Sequence, residues 1–467
     1  MQQKGRRRIF VDFTLVDYRT RVTGIPRVAY AYLEEGYSLG DTHGVEVVPV
    51  YVKNGELIDA RPFLVGSNLR RFRRQPGLRS LHQLLRSWLY FVLHVLRLGA
   101  ISCVVPFFRI ASLLLSFEFF DLWKNVLHSG FRAGYFSLKR RVNDFLGRRV
   151  EFQPGEVLFM PAYWHDTQPG FYMRLRSRGL VICPLVHDIL PITHPEFYES
   201  PWREQFERWV FEVLSHSDHV YYISEFTRDS VAAVNASRFH RQLPGGTVLH
   251  HGRDFARSEH VPEQVKSPAV RAVREGPPYF LMVGSIEPKK NHLKVLAEFE
   301  SLWQRGVQAQ LVIVGGGGWK NEEILQELKA NPYLHGSLLW LEGVEDGDLA
   351  LLYRDAAGLI QASEAEGFGL PLIEALSLGT PVLANDIPVF RELVASHATF
   401  FDIHREGDLG AKVERLVHEG RQPVADFSWP TWSERARVLF EDLALRSRTA
   451  APEPKREQRA APKAASA

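Results

Sequence analysis

Cysteine is nearly absent: Cys103 and Cys183 are the two in 467 residues. That excludes a disulfide framework and a cysteine-based zinc site, and it fits a reducing cytosol. The opening MQQKGRRRIFVDF has a basic start but no apolar stretch ending in small residues, so no secretory signal peptide is expected. Uninterrupted apolar segments are also lacking. The longest, Trp88 to Phe117, contains His94, Arg97, Pro106 and Arg109, and basic residues at a bilayer centre are costly. An amphipathic segment lying in the plane of a membrane suits it better than a spanning helix. A helical hairpin buried on the protein itself is the plain alternative. Acidic residues are scarce in the first third. Residues 1–150 carry 24 Lys+Arg against 11 Asp+Glu, a balance of +13, and the rest carry 33 against 43, a balance of −10. Such a basic part invites an anionic neighbour, unless its arginines merely solvate helical faces. No aromatic-basic module or helix-turn-helix accompanies the charge, so nucleic acid is not expected as a partner.

What is present is ordinary globular material, 45% hydrophobic and 24% charged. The length implies at least two domains. Short apolar, β-branched runs start at Ile9, Val45, Glu156, Leu180, His219 and Thr247, then at Tyr279, Ala309, Ser337, Ala357, Pro381 and Ala398. Helical stretches lie between them. Continuous apolar strands of this kind point to parallel sheets covered on both faces, and twelve are too many for one typical sheet. Two doubly wound, Rossmann-like α/β domains are therefore expected, over residues 6–262 and 275–432. Between them, Glu259 to Pro278, rich in proline and charge, reads as a linker. Residues 78–147 lack the strand rhythm and read as a helical insertion in the first domain. Residues 433–448 suit a helix crossing back to that domain, and 449–467, without large apolar residues, a disordered tail.

The densest chemical signal is SEAEGFGLPLIEALSLGTPVLAND, from Ser363 to Asp386. A strand ends, a turn with Gly367 and Gly369 follows, and Pro371 suits the first turn of a helix that Gly379 would cap. Such a turn brings backbone close to a ligand, and the helix start offers N–H groups to a phosphate. Glu366 and Glu374 would both face the C-terminal edge of the sheet, where open α/β folds bind ligands. The second cluster is VGSIEPKKNH, from Val283 to His292, which puts Lys289, Lys290 and His292 after the first strand of the second domain. Weaker candidates are the D-x-D of Asp346 and Asp348, read as helix capping, and Trp164, a sugar platform or a core tryptophan. His165-Asp166 and His250-His251 lack metal-ligand spacing, so no metal site is assigned. Arg27 in TGIPRV reads as a surface arginine of the first helix, with a place near the donor as the alternative.

EGFGLPLIE, with its two glutamates, resembles the signature of the retaining GT-B glycosyltransferases of family 4. VGSIEPKKN, LVIVGGGGW and LLYRDAAGLIQAS resemble further segments of that family in the expected order. VHDILPITHPEFY, YYISEFTRDSV and TGIPRVAY resemble its bacterial polysaccharide enzymes, many of them mannosyltransferases. The resemblance covers roughly residues 9–447, apart from much of 65–150. It implies a GT-B fold, with an acceptor-side first domain and a nucleotide-sugar-binding second domain facing a cleft.

Position by position, the resemblance assigns Lys290 to the donor diphosphate, Glu366 to the donor sugar and Glu374 to the nucleotide ribose. Gly367, Phe368, Gly369 and Leu370 would lie in the loop whose backbone contacts sugar and phosphate. His187 would approach the transferred sugar, and Gly24 the phosphates. Ser285 stands where many family members have an arginine, and Lys289 is the candidate substitute for that charge. Catalysis is thus expected from Glu366, His187 and Lys290, with no metal and no cofactor, the nucleotide sugar being a substrate. The expected acceptor is a glycan or lipid-linked glycan, and the expected location cytoplasmic, peripheral at an anionic inner membrane face. Two rival functions are a non-catalytic scaffold of the same fold and a glycosidase using Glu366 and Glu374 as its carboxylate pair.

Overall fold

The computed structural model describes residues 6–14, 24–61, 148–162, 169–253, 265–421, 424 and 426–449. Two sheets organise them. The first holds β1 (Arg7–Asp12), β2 (Val45–Lys53), β3 (Glu56–Asp59), β4 (Val157–Met160), β5 (Val181–Val186), β6 (Val220–Tyr222) and β7 (Gly246–Val248), in the order β3-β2-β1-β4-β5-β6-β7. The second holds β8 (Tyr279–Val283), β9 (Gln310–Val314), β10 (Leu338–Leu341), β11 (Gly358–Gln361), β12 (Val382–Asn385) and β13 (Ala398–Phe401), in the order β10-β9-β8-β11-β12-β13. Strands pair in parallel throughout, apart from the antiparallel pair β2 and β3.

The twelve apolar runs all form strands, and those in the middle of each sheet, such as β4 and β11, are buried along their whole length. Helices cover both faces, so no position on such a strand meets water and alternation disappears. The thirteenth strand, β3, was not expected. Asn54 and Gly55, both with positive φ, make the two-residue turn that folds it back on β2. The span read as a linker is corrected too, because Pro268–Glu275 is a helix. Val270 and Val273 are its buried face, and Pro268 opens it where a missing N–H costs nothing.

In each sheet the strand order reverses beside one central strand, between β1 and β4 and again between β8 and β11. A doubly wound fold leaves a crevice at that switch point, above the C-terminal ends of the strands. One apolar cluster joins the two domains beneath the crevice. It runs from Ile9 and Phe159 through Trp432 and Phe368 to Leu281 and Leu372.

The last described helix, Trp432–Thr449, packs on the first domain. Trp432 meets Tyr32 edge to face at 5.5 Å, the Phe440 ring lies against Gly36, and the Tyr221 hydroxyl donates to Asp442. Phe440 is fully buried. Phe440→Ala is therefore expected to cost about 3–5 kcal/mol, the range for removing a buried aromatic ring. Chemical denaturation measures it, and hydrogen exchange should weaken first in Ile25–His43. A loss confined to the second domain would contradict this packing.

The insertion at 78–147, Trp164, His165, Asp166 and residues 450–467 lie outside the described residues. Among the described residues, no helix is long and apolar enough to cross a membrane.

Candidate functional site

Two loops of the second domain meet at its switch point. One follows β8 and carries Lys289 and Lys290; the other follows β11 and carries Ser363 and Glu366. Backbone contacts lock them together. Glu364 donates its N–H to the Lys289 carbonyl at 2.9 Å, and the Asn291 side chain donates to the Ala362 carbonyl at 2.9 Å. Asn291 adopts φ 56°, a conformation that asparagine tolerates better than most residues and that starts the helix His292–Gln304.

The lock puts three charges within one hydrogen-bond network. Lys289 Nζ lies 2.9 Å from Glu366 Oε2, and Lys290 Nζ 3.0 Å from Glu366 Oε1. Ser363 Oγ also donates to Oε1 at 2.9 Å. Burial alone would raise the Glu366 pKa, but the two ammonium groups outweigh it and bring the carboxyl down to about 2. Lys289 shows the same contest. Burial opposes its charge, yet the carboxylates of Glu366, Glu287 and Asp188 raise its pKa. Lys289 is thereby committed to carboxylates. Ser285 is likewise occupied, donating its hydroxyl to Glu287 at 2.5 Å.

The glutamate loop reaches the first domain through Gly367. Ser224 Oγ donates to the Gly367 carbonyl at 2.8 Å. A Cβ on Gly367 would stand 2.1 Å from the carbonyl oxygen of His187, so only glycine fits. Gly369 adopts φ 125° and starts the helix Leu370–Ser377, while Gly379, at φ 72°, ends it. Phe368 turns away into an aromatic cluster, edge to face with His251 at 4.9 Å.

His187 follows β5 and is buried, its Nε2–H donating to the Pro161 carbonyl at 2.7 Å. Burial lowers its pKa to about 4, so the ring is neutral near pH 7. Glu374, on the helix Leu370–Ser377, faces two groups that sequence reasoning did not bring to it. Arg27 Nη1 donates to its Oε1 at 3.0 Å, and the Tyr353 hydroxyl donates to its Oε2 at 2.9 Å. The reading of Arg27 as a surface arginine is therefore corrected. Pro26 places Arg27 in the first turn of the helix Ile25–His43, but nothing nearby marks Glu374 as its partner. Gly24 precedes that helix with φ 58° and is exposed. Two further contacts cross between the domains. Trp202 packs against Trp319 at 5.7 Å, and Lys320 Nζ donates to the Glu196 carbonyl at 2.9 Å.

Asp348 does not cap its own helix as expected. It accepts the backbone N–H groups of Lys266 and Ser267, which lead into the helix Pro268–Glu275. His250 pairs with Glu392 at 3.1 Å, and Glu392 also accepts the N–H groups of Glu225 and Phe226. Among the described residues, no group of three His, Cys, Asp or Glu side chains could hold a metal ion.

Comparison with known proteins agrees with this architecture. Residues 264–427 match the family "Glycosyl transferases group 1". The chain is 35% identical over 282 residues to the serotype-specific mannosyltransferase WbdA of Escherichia coli, a match spanning 58% of this chain and 34% of that protein. It is 26% identical over 265 residues to the O-antigen chain mannosyltransferase B of Escherichia coli, spanning 56% of this chain and 65% of the other. The chain thus matches only about a third of WbdA's length. Sucrose-phosphate synthase from Thermosynechococcus elongatus shares the fold, with a TM-score of 0.52 at 16% identity over 95% of both chains.

Proposed function

From a chain that has the GT-B fold, carries a second domain of the group 1 glycosyl transferases and resembles bacterial mannosyltransferases, we propose a retaining, metal-independent glycosyltransferase. It would move a hexose, mannose first among them, from a nucleotide donor to a glycan or lipid-linked glycan. One observation carries the reading: Lys289, Lys290 and Glu366 converge at the switch point of the second domain, and Gly367 packs there on His187.

Breaking a sugar–diphosphate bond leaves negative charge on a phosphate oxygen, which fixed positive potential stabilises better than a strong base does. Lys290 and the start of the helix Leu370–Ser377 supply that potential. Glu366 remains a carboxylate at working pH and accepts hydrogen bonds from the donor sugar. Its low pKa makes it a poor general acid, and the two lysines bound to it favour a diphosphate site over a glycosidase pair. Neutral His187 orients the transferred sugar without adding charge. The acceptor oxygen attacks C1 on the face that the diphosphate leaves, and its proton passes to the departing phosphate oxygen. The configuration at C1 is retained.

A thermal-shift series with GDP-, UDP-, ADP- and dTDP-sugars tests the donor class, since a ligand that binds only the folded state raises its stability. The expected result is a rise with one nucleotide sugar, GDP-mannose first, slow hydrolysis of that donor, and transfer that persists in excess chelator. Binding without hydrolysis or transfer to any glycan would favour a scaffold. Activity lost to chelator and restored by Mg²⁺ would overturn metal independence.

A further inference from the structure

The pair Arg27 and Glu374 joins residues 347 positions apart, one from each domain. Glu374 is 7% exposed, and Arg27 keeps 26% of its side-chain surface. Three described groups act on the carboxylate: Arg27 from the first helix, and Tyr353 and Asp346 from the helix Asp346–Asp355. Of these, Arg27 is the cation. With Arg27 on one oxygen and Tyr353 on the other, each oxygen retains lone-pair capacity, because a carboxylate offers about four acceptor sites. Two neighbouring hydroxyls of one ligand match that arrangement.

We infer that Arg27 is a positioning residue that aims Glu374 at the donor's ribose diol and keeps it ionised, so that donor binding depends on closure of the first domain. This rests on the reading of Glu374 as the ribose-side carboxylate. In an open cleft Arg27 would leave with its helix, while Tyr353, on the same domain as Glu374, would stay beside the carboxylate. A buried carboxylate without a counterion takes up a proton, and a carboxylic acid accepts hydrogen bonds poorly. Burial already raises the Glu374 pKa with Arg27 in place, so removing Arg27 raises it further.

The test uses the full chain and calorimetric affinities for GDP and UDP at pH 6 and pH 8, beside steady-state kinetics. Arg27→Ala is expected to raise the dissociation constant of the bound nucleotide tenfold or more, with the loss larger at pH 6 than at pH 8. The donor KM should follow, with kcat changing less, and Arg27→Lys should recover part of the affinity. Glu374→Gln should be weak at both pH values. A pH-independent loss, shared equally by kcat and KM, would overturn the inference and make the pair a structural brace. Unchanged affinity in Arg27→Ala would also overturn it. If Arg27→Ala does not fold, Arg27→Gln and Arg27→Lys carry the same comparison. The outcomes separate from the underlying reading: should Glu374→Ala bind nucleotide as well as wild type, the ribose assignment itself falls. Should wild type bind neither nucleotide, both fall.

Discussion

Lys290→Ala is expected to lower kcat/KM by about 30- to 1000-fold, equivalent to about 2–4 kcal/mol of transition-state stabilisation. Glu366 is held by two lysines, but Lys289 also feels Glu287 and Asp188, which leaves Lys290 the more disposable charge. Its ammonium also lies where a Cβ on Gly284 would be 3.2 Å away, against the end of β8. A point charge there strengthens its hold on phosphate as the leaving group gains charge. The comparison is His187→Ala, which should slow transfer more than it weakens nucleotide binding. Single-turnover rates and nucleotide affinities measure both variants. If each loses affinity alone, with an unchanged chemical step, neither group acts in the transition state.

Gly367→Ala should be nearly as damaging, for a steric reason. The added methyl would meet the His187 carbonyl oxygen at 2.1 Å and the Asp188 Cβ at 2.8 Å, well inside contact distance. Backbone on one side and a short side chain on the other leave little room to yield. The loop must retreat, carrying Glu366 away from its lysines and loosening the Ser224 contact. Displacing a reacting group by about 1 Å costs on the order of 100-fold in rate. We therefore expect kcat to fall by about that factor, while overpacking costs about 1–3 kcal/mol of stability. Rates and thermal unfolding together decide. Full activity with an unchanged melting temperature would show that turnover proceeds with this contact open.

The parts legible from sequence are those whose cause is local. The twelve strands could be read because burial on both faces writes a continuous apolar run into each one. Strand β3 sits at an edge, and Glu56–Asp59 carries no such run; its signal was the Asn54-Gly55 turn alone. The lysine and glutamate loops could be read because a strand end, glycines and a helix start lie within a few residues. Arg27 could not, since nothing near position 27 states that residue 374 is its partner. Asp348 shows the same limit: its place in the first turn of a helix was visible, and the incoming backbone of Lys266 and Ser267 was not.

The return of Trp432–Thr449 to the first domain also sets an order of events during synthesis. Domains ordinarily fold as they emerge from the ribosome, the N-terminal one first. Here, among the described residues, Tyr32 and Gly36 of the first helix meet Trp432 and Phe440 only once the last helix has been made. A nascent chain that has finished the second domain still lacks that contact, which leaves a face for a chaperone to hold. The domain translated first is the one completed last.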